Sequence, residues 1–441
     1  MESRRIVIMG AAGRDFHNFN VLCRDDPGRQ VVAFTAAQIP DIAGRTYPPE
    51  LAGPRYPDGI PIHAEAELER IVRERQVDEV WFCYSDVDAA HVMERAGRAT
   101  AAGAGFVLCS ARATMLDSSK PVVAVTAVRT GVGKSQTTRH MTRILREQGH
   151  NVAVVRHPMP YGDLRQQIWQ RYETYDDLDR YETTIEEREE YEPHIDNGCI
   201  VWAGVDYAEI LRRAEAEADV ILWDGGNNDT PFYRPDIHLT LVDPHRPGHE
   251  LSYYPGFTNL LLADVLVVNK VQTAPPEGLG QVLANCARHN PAAQVIQCNS
   301  KITVDRPELI AGKRALVVED GPTLTHGGME YGAGWYAARD AGAAEIVEPV
   351  PYARGSLIET YAAYPNARRI LPAMGYGASQ IRDLEATIRA TPADVVVAGT
   401  PIDLARVLAS DKPIAKVAYE LEELQPGGLA EAVRRALAAR A

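Results

Sequence analysis

The stretch VVAVTAVRTGVGKSQTTRHM, residues 122–141, constrains the fold more than any other part of the sequence. An apolar, β-branched run leads into a turn with Gly131 and Gly133, and the residues after it have the composition of a helix. A strand, a glycine turn and a helix in this order place backbone N–H groups around phosphate oxygens. The sequence therefore predicts a phosphate-binding loop in which Lys134 reaches the β- and γ-phosphates and the Ser135 hydroxyl binds Mg²⁺.

Short apolar runs alternate with helix-like stretches along the whole chain, beginning with RIVIMG, VVAFT and VDEVWFCY. This alternation is typical of a parallel sheet that is covered by helices on both faces. We therefore expect an α/β fold in three parts. They are a Rossmann-like domain over residues 1–118, a phosphate-loop NTPase core over 119–345, and a C-terminal α/β region over 346–441 that packs on the core.

An acidic segment at about 160–198 interrupts the predicted core. Ten carboxylates lie between residues 173 and 192, against Arg180 and Arg188. Two interpretations remain open, a solvated helical insertion and a mobile lid that closes over the active site.

Composition excludes several classes of partner and site. The formal net charge of −14 disfavours nucleic acid, and no apolar run is long enough to span a membrane. The six cysteines include no CxxC pair, which argues against both a disulfide framework and a cysteine zinc site. We expect a cytoplasmic protein.

A second nucleotide motif follows the loop. ADVILWDGG is an apolar strand that ends at Asp224, the position at which a Walker B aspartate holds Mg²⁺. Asp163 follows another strand, where it is either a metal- or water-positioning aspartate or a simple turn residue.

The base-reading region favours adenine over guanine. VLVVNK resembles the start of the guanine-reading NKxD motif, but Gln272 replaces its aspartate. Without that carboxylate guanine loses an acceptor, whereas Asn269 can still read adenine, so we expect ATP. Thr400 follows a late strand and either closes over the base or forms an ordinary turn.

Val128 stands where the common GxxxxGK[ST] loop has glycine. Aligned on the GKS residues, the loop resembles the deviant version GKGGVGKS of the MinD, ArsA and dethiobiotin-synthetase class. The resemblance places Arg129 at the signature lysine, which in relatives reaches a nucleotide phosphate, often across a dimer interface. Arg129 therefore contacts either the nucleotide or the acceptor, and we expect a homodimer. The predicted nucleotide-binding loop residues are Thr130, Gly131, Val132, Gly133, Lys134, Ser135 and Gln136.

Five segments in order resemble the cyclic 2,3-diphosphoglycerate synthetase family: GAAGRDFHNFN, TAVRTGVGKSQT, DGGNNDTPF, VVEDGPTLTHGGM and LPAMGYG. The resemblance covers essentially the whole chain. It implies an ATP- and Mg²⁺-dependent ligase, activated by potassium, that closes an intramolecular phosphoanhydride in 2,3-diphosphoglycerate and releases ADP and phosphate. Such a protein must mainly position and neutralise polyanions.

Seven residues are therefore candidates for the acceptor side. Six of them lie in glycine-rich loops or at a strand end: Arg14, His17, Asn18, Glu319, Asp320 and His326. Arg354, in PYARGSL, is a further candidate for a phosphate contact. The carboxylates would hold a second cation or a substrate-binding water, and the others would contact phosphates. A βα turn, a structural histidine and a surface arginine are the alternative roles for the non-acidic candidates.

The competing function is a nucleotide-switched regulatory or chaperone-like NTPase whose partner is another protein. The N-terminal domain and the EDGPTLTHGGM loop favour the enzyme, since a switch does not need a second anion pocket. The deviant loop and the acidic segment favour the switch.

Overall fold

The computed structural model describes most of the chain, namely residues 3–37, 42–157, 162–321, 330–373, 378–400, 404 and 408–440. Within these residues the chain forms an α/β protein with two large sheets whose strands are mostly parallel. The predicted fold class is therefore confirmed. None of the described helices is long and apolar enough to cross a membrane.

The strands, in chain order, are β1 (Arg4–Met9), β2 (Arg29–Ala36), β3 (Thr46–Tyr47), β4 (Ile60–Ala64), β5 (Glu79–Phe82), β6 (Val87–Asp88), β7 (Gly105–Leu108), β8 (Val122–Ala127), β9 (Val152–Arg156), β10 (Gln170–Tyr172), β11 (Ile200–Ala203), β12 (Val220–Trp223), β13 (Ile237–Val242), β14 (Tyr253–Tyr254), β15 (Val265–Val268), β16 (Gln294–Val304), β17 (Arg314–Asp320), β18 (Glu345–Ile346), β19 (Leu371–Ala373), β20 (Val395–Gly399) and β21 (Ile414–Glu423). The helices are α1 (Arg14–Leu22), α2 (Pro49–Ala52), α3 (Leu68–Glu74), α4 (Ala89–Ala102), α5 (Lys134–Glu147), α6 (Tyr175–Arg180), α7 (Ile185–Asp196), α8 (Tyr207–Glu217), α9 (His249–Ser252), α10 (Gly256–Leu262), α11 (Pro276–His289), α12 (Ala333–Asp340), α13 (Ser356–Ala363), α14 (Ala378–Ala390) and α15 (Gly428–Arg440).

The N-terminal sheet has the strand order β3-β4-β2-β1-β5-β7. Its strands are parallel except for β3, which runs antiparallel to β4. Alternate residues of β1 point to opposite faces, so Ile6 and Ile8 pack in one apolar cluster while Val7 and Met9 pack in another. This is why the strand is apolar throughout rather than alternating.

The second sheet begins with the order β10-β11-β9-β12-β8-β13-β15-β16. The strand that precedes the phosphate loop, β8, lies between β12 and β13 and is parallel to both. Val123 and Val125 belong to one apolar cluster, and Val122 and Ala124 belong to the cluster on the other face. Helices therefore cover both faces, and the carboxyl ends of β8 and β12 lie side by side.

The same sheet continues into the C-terminal part of the chain through β21, which pairs antiparallel with β16 and parallel with β20. One apolar cluster joins residues from Ile310 to Val417, so this unit begins before the predicted boundary at residue 346. The reason is that β17 pairs with β20 and therefore packs with the later strands. The last helix returns to the core of the phosphate-loop unit, where Leu429 and Val433 are buried.

The N-terminal sheet and the phosphate-loop unit are connected by a two-stranded antiparallel ribbon. In it β6 pairs with β14, with Tyr253 opposite Asp88 and Tyr254 opposite Val87. The ribbon holds the residues that follow β5 beside the phosphate loop.

The acidic segment contains β10, α6 and α7, and some of its side chains are buried. The short strand β10 extends the sheet at its edge by pairing with β11. Although α7 is rich in carboxylates, its side chains Tyr191 and His194 are buried. Neither finding tests whether the segment moves as a lid.

Candidate active site at the phosphate-binding loop

The loop between β8 and α5 has the backbone that phosphate binding requires. Gly131 and Gly133 adopt left-handed φ values of 80° and 115°. A Cβ atom at Gly133 would lie 2.2 Å from Asn269 Nδ2 and 2.4 Å from Gln136 Nε2, so no larger residue fits there. The helix α5 begins at Lys134, directly after the loop.

Three side chains hold successive carbonyl groups of this loop. Arg246 Nη2 donates to the Thr130 carbonyl at 2.9 Å, Lys270 Nζ donates to that of Gly131 at 2.6 Å, and Asn269 Nδ2 donates to that of Val132 at 2.8 Å. In a trans peptide the N–H and C=O groups point in opposite directions. Because these carbonyls face the donors, the following N–H groups point to the other side, as in an anion-binding nest.

Asn269, which was predicted to read adenine, contacts the phosphate loop in this structure. Its amide nitrogen holds the loop, and its Oδ1 accepts from the backbone N–H of Lys270 at 2.8 Å. Both ends of the amide are bonded, because the end of β15 lies against the loop. A role in base reading stays a prediction.

The predicted pair Lys134 and Asp224 is in direct contact. Lys134 Nζ donates to Asp224 Oδ1 at 2.5 Å. Burial lowers the pKa of Lys134 to about 8, with Arg156 adding to the effect and Asp224 opposing it. Two sequence motifs ninety residues apart therefore meet at one point of the sheet edge.

Two residues that the sequence analysis did not identify complete this cluster. Arg156, at the end of β9, is fully buried and places Nη1 2.6 Å from Asp224 Oδ2. His194 of α7 donates from Nε2 to the same oxygen at 3.2 Å. Burial disfavours the charge of Asp224, but Arg156, Lys134 and His194 outweigh it and hold the pKa of this carboxyl well below its usual range.

The helix α7 ties the acidic segment to three neighbours. Glu190 forms an ion pair with Arg156. The Tyr191 hydroxyl donates to the carbonyl of His157 at 3.1 Å. The predicted residue Thr400 donates from its hydroxyl to Glu189 Oε1 at 2.5 Å, so in this structure it contacts α7. Closure of Thr400 over a base stays a prediction.

The donor set fits magnesium that is bound chiefly through nucleotide phosphates and water. In the described part of the chain, no group of three or more His, Cys, Asp or Glu residues is placed to hold a metal ion. Asp224 supplies a carboxylate at the end of β12, and Ser135 supplies a hydroxyl in the first turn of α5. One carboxylate and one hydroxyl are what a Mg²⁺–nucleotide site takes from the protein.

Arg129 is held by its own chain. Its guanidinium lies 4.1 Å from the ring centre of Tyr253, Nη1 is 3.3 Å from His249 Nδ1, and Nε is 3.6 Å from Asp86 Oδ1. The same Asp86 accepts a hydrogen bond from the Thr130 hydroxyl at 2.6 Å. Asp86 belongs to the N-terminal part, so Arg129 lies where that part meets the phosphate loop. Its action on the nucleotide or on the acceptor stays a prediction.

Two of the N-terminal candidates, Arg14 and His17, have partners within the protein, and their predicted contacts with the acceptor stay predictions. Arg14 Nε donates to Asp229 Oδ1 at 3.0 Å, which compensates its charge. His17 donates from Nε2 to the carbonyl of Thr114 at 2.6 Å and stacks on Phe232 with ring centres 4.0 Å apart. Burial lowers the pKa of His17 to about 3, with Arg14 adding to the effect, so this imidazole is neutral at physiological pH.

Two of the acidic candidates have local partners. Asp163 accepts from Arg165 Nη2 at 2.7 Å, and hydrogen bonds from Arg165 lower its pKa to about 2. Glu319 Oε1 accepts from the backbone N–H groups of Gly332 at 3.1 Å and Trp335 at 3.0 Å, at the start of α12. The first geometry is that of a turn and the second is that of a helix cap.

The remaining candidates are exposed or lie outside the described residues. Arg354 is exposed, and its Nη1 donates to the neighbouring Ala353 carbonyl at 3.0 Å. His326 and the side chain of Asp320 lie outside the described residues. Their predicted roles stay predictions.

No protein-family model matches the chain. Several solved structures are similar to it at low identity. LpxK from Aquifex aeolicus in complex with ATP is 12% identical, covers 74% of this chain and 90% of that chain, and has a TM-score of 0.43. The hydrogenase maturation factor HypB from Archaeoglobus fulgidus is 14% identical, covers 53% of this chain and 90% of that chain, and has a TM-score of 0.26. These similarities are weak, so the fold assignment depends on the strand order and the phosphate loop.

One relative is close in sequence. The arginine synthetase ArcE of Thermococcus kodakarensis is 61% identical over 423 residues, which cover 96% of this chain and 94% of that protein. This finding contradicts the expectation of a cyclic 2,3-diphosphoglycerate synthetase. The expectation was wrong because glycine loops and strand-end aspartates report ATP chemistry and leave the acceptor open. A ligase-type enzyme is confirmed at that coarser level. The chain belongs to the family of the arginine synthetase ArcE.

Proposed function

We propose that this protein is an ATP-dependent arginine synthetase. The observation that carries the proposal is the 61% identity to the arginine synthetase ArcE over 96% of this chain. The contact between Lys134 and Asp224 supports it, because a phosphoryl-transfer site needs both a phosphate-binding cation and a metal-binding carboxylate.

The reaction follows from the chemistry of the product. The guanidinium carbon of arginine carries three nitrogens, whereas the ureido carbon of L-citrulline carries two nitrogens and one oxygen. Phosphoryl transfer from ATP to the ureido oxygen breaks the bond between the γ-phosphorus and the bridging oxygen and releases ADP. Ammonia then attacks the carbon, the carbon–oxygen bond breaks, and phosphate leaves. L-citrulline, ammonia and ATP thus give arginine, ADP and phosphate.

The residues of the loop have distinct tasks in this scheme. The N–H groups of residues 131–133 and the start of α5 bind phosphate oxygens. Lys134 neutralises charge on the β- and γ-phosphates, and Ser135 and Asp224 hold Mg²⁺. When bound, Mg²⁺ neutralises charge that develops on the transferring phosphoryl group. Arg156 and His194 keep the Asp224 carboxylate ionised and oriented.

The test is to incubate the protein with ATP, Mg²⁺, L-citrulline and ammonium, and to measure ADP and arginine together. We expect one arginine for each ADP, and no ADP when either L-citrulline or ammonium is omitted. Lys134→Ala should lower kcat/KM for ATP by about 100- to 1000-fold. Lys301→Ala is the matched control, since that side chain is 60% exposed and lies on β16. ADP formation that is independent of L-citrulline and ammonium would refute the proposal.

A further inference from the structure

The connections of the N-terminal sheet diverge between β1 and β5, and the carboxyl edge of the sheet at this point is called the crevice here. The chain leaves β1 for β2 and β4 on one side of the sheet and returns to β5 and β7 on the other. In open parallel sheets, ligands bind at such a switch point, outside the carboxyl ends of the strands. Here the loop of residues 10–13 follows β1, and residues 83–86 follow β5.

The crevice faces the phosphate loop. Asp86, after β5, accepts hydrogen bonds from Thr130 Oγ1 at 2.6 Å and from its backbone N–H at 3.3 Å. Asp86 has a left-handed φ of 58°, a conformation uncommon for residues other than glycine and one that often marks functional sites. Arg14 connects the start of α1 to Asp229, five residues after Asp224. A ligand in the crevice is therefore next to the nucleotide side.

The crevice has more buried negative than positive charge. Asp15, Asp229 and the side chain of Asp86 are each more than nine-tenths buried, and the guanidinium groups nearby are those of Arg14 and Arg129. Burial raises the pKa of Asp15 to about 7, and the neighbouring Asp229 adds to this. Burial also raises the pKa of Asp229. Asp229 is paired with Arg14, and Asp86 lies 3.6 Å from Arg129, whereas the hydrogen bonds to Asp15 come from the backbone N–H groups of Ala12 and Phe16. A buried carboxylate such as Asp15 is costly without a cation to pair with it.

Polar atoms without partners lie at the same edge. Asn18 is 1% exposed, and its Oδ1 has no hydrogen-bond partner among the described residues, while its Nδ2 donates to Cys83 Sγ at 3.2 Å. The hydroxyl of Thr35, near the end of β2, is likewise buried and without a partner in the described part of the chain. Buried polar atoms are normally satisfied, and an amide oxygen can only accept, so Asn18 Oδ1 indicates a ligand with an N–H donor.

We propose that this crevice binds the amino-acid acceptor, with the α-ammonium group held by Asp15 and Asn18 and the ureido group directed past Asp86 towards the phosphate loop. The inference rests on the proposed function for the identity of the acceptor. A primary ammonium group is the chemistry that the crevice recognises, and free ammonium is the other possible source of it.

The first experiment measures binding by calorimetry, without turnover. L-citrulline should bind the wild-type protein about 10- to 100-fold more tightly than 5-ureidopentanoate, which has the same ureido and carboxylate groups but no α-ammonium group. Asp15→Asn keeps the volume and the oxygen that accepts from Ala12 and Phe16 but removes the charge, and it should abolish that preference. Asp78→Asn, at the opposite edge of the sheet, is the matched control and should retain it.

The second experiment measures KM for each substrate of Asp15→Asn. We expect a rise of about 10- to 100-fold in KM for L-citrulline and an unchanged KM for ATP. A rise confined to KM for ammonium would overturn the assignment, and so would equal binding of L-citrulline and 5-ureidopentanoate by the wild type. Tighter binding of L-citrulline than of 5-ureidopentanoate without any arginine formation would support binding at the crevice and refute the proposed function. Failure of the binding proposal and failure of the proposed function therefore give different results. If Asp15→Asn does not fold, the wild-type comparison of the two ligands decides alone.

Discussion

Replacing Arg156 by Met tests whether α7 and β9 maintain the ionised Asp224 through a buried ion pair. The Arg156 side chain is 0% exposed and that of Asp224 is 1% exposed, so the change leaves a buried carboxylate without its closest guanidinium. Removing one partner of a buried pair costs about 3–5 kcal/mol. Glu190, the other partner of Arg156, is 33% exposed and adds little, because water screens it. We expect a loss of about 3 kcal/mol in the free energy of unfolding.

The assay is urea unfolding of Arg156→Met followed by circular dichroism, with the change in free energy taken from the midpoint and slope. Arg165→Met is the matched control, because it breaks another arginine–aspartate pair, in which Arg165 is 58% and Asp163 is 35% exposed. An exposed pair of this kind contributes less than about 1 kcal/mol.

A double variant separates the ion pair from lost packing. Arg156→Met combined with Asp224→Asn removes both charges of the pair, so part of the cost of the single Arg156 variant should be recovered, although Lys134 then loses the carboxylate that it contacts. Equal losses for Arg156→Met and Arg165→Met, or a double variant no more stable than Arg156→Met alone, would refute the reasoning.

Two further predictions concern the loop itself. Gly133→Ala places Cβ 2.2 Å from Asn269 Nδ2 and should raise KM for ATP at least about tenfold. Gly149 is the control, because it also has a positive φ but no atom lies within 4 Å of its added Cβ; Gly149→Ala should cost about 1–2 kcal/mol of stability and leave KM for ATP unchanged. Equal KM values in the two variants would contradict this prediction. Because burial and Arg156 lower the pKa of Lys134 to about 8, the charged form is lost as pH rises through 8, and kcat/KM for ATP should fall there by up to about tenfold per pH unit. Lys134→Arg should abolish that fall, since guanidinium stays charged, and a fall of the same size in this variant would show that another group titrates.

The elements and the centre of the site could be predicted because they depend on local patterns. Strands buried on both faces are continuous apolar runs, so β8 and β12 can be recognised directly. Parallel strands bring their carboxyl ends to one edge, and this is why Lys134 and Asp224 could be assigned to the same site. The lone deviation at Val128 is accommodated because its side chain is buried in the core below the loop.

The partners of that centre could not be predicted, because they depend on how distant elements pack. Arg156 and His194 carry a weak signal, namely a charged residue at the end of an apolar strand and a histidine in an acidic helix. Asp86 has no recognisable signal in the sequence, since its contact with Thr130 depends on the ribbon of β6 and β14. The sequence also could not show that the charge of Arg14, a candidate for binding a phosphorylated acceptor, is compensated by Asp229, because the two residues are 215 positions apart and meet only in the folded chain.

The position of β21 and α15 has a consequence for biosynthesis. The ribosome synthesises the phosphate-loop strands first, but Leu421, Leu429 and Val433 complete their apolar cluster only after residues 305–413 have also emerged. Until then one side of the nascent nucleotide unit exposes apolar surface and the unpaired edge of β16, which are the features that chaperones bind and that promote aggregation. Pauses in translation over residues 305–413 should therefore lower the yield of soluble protein.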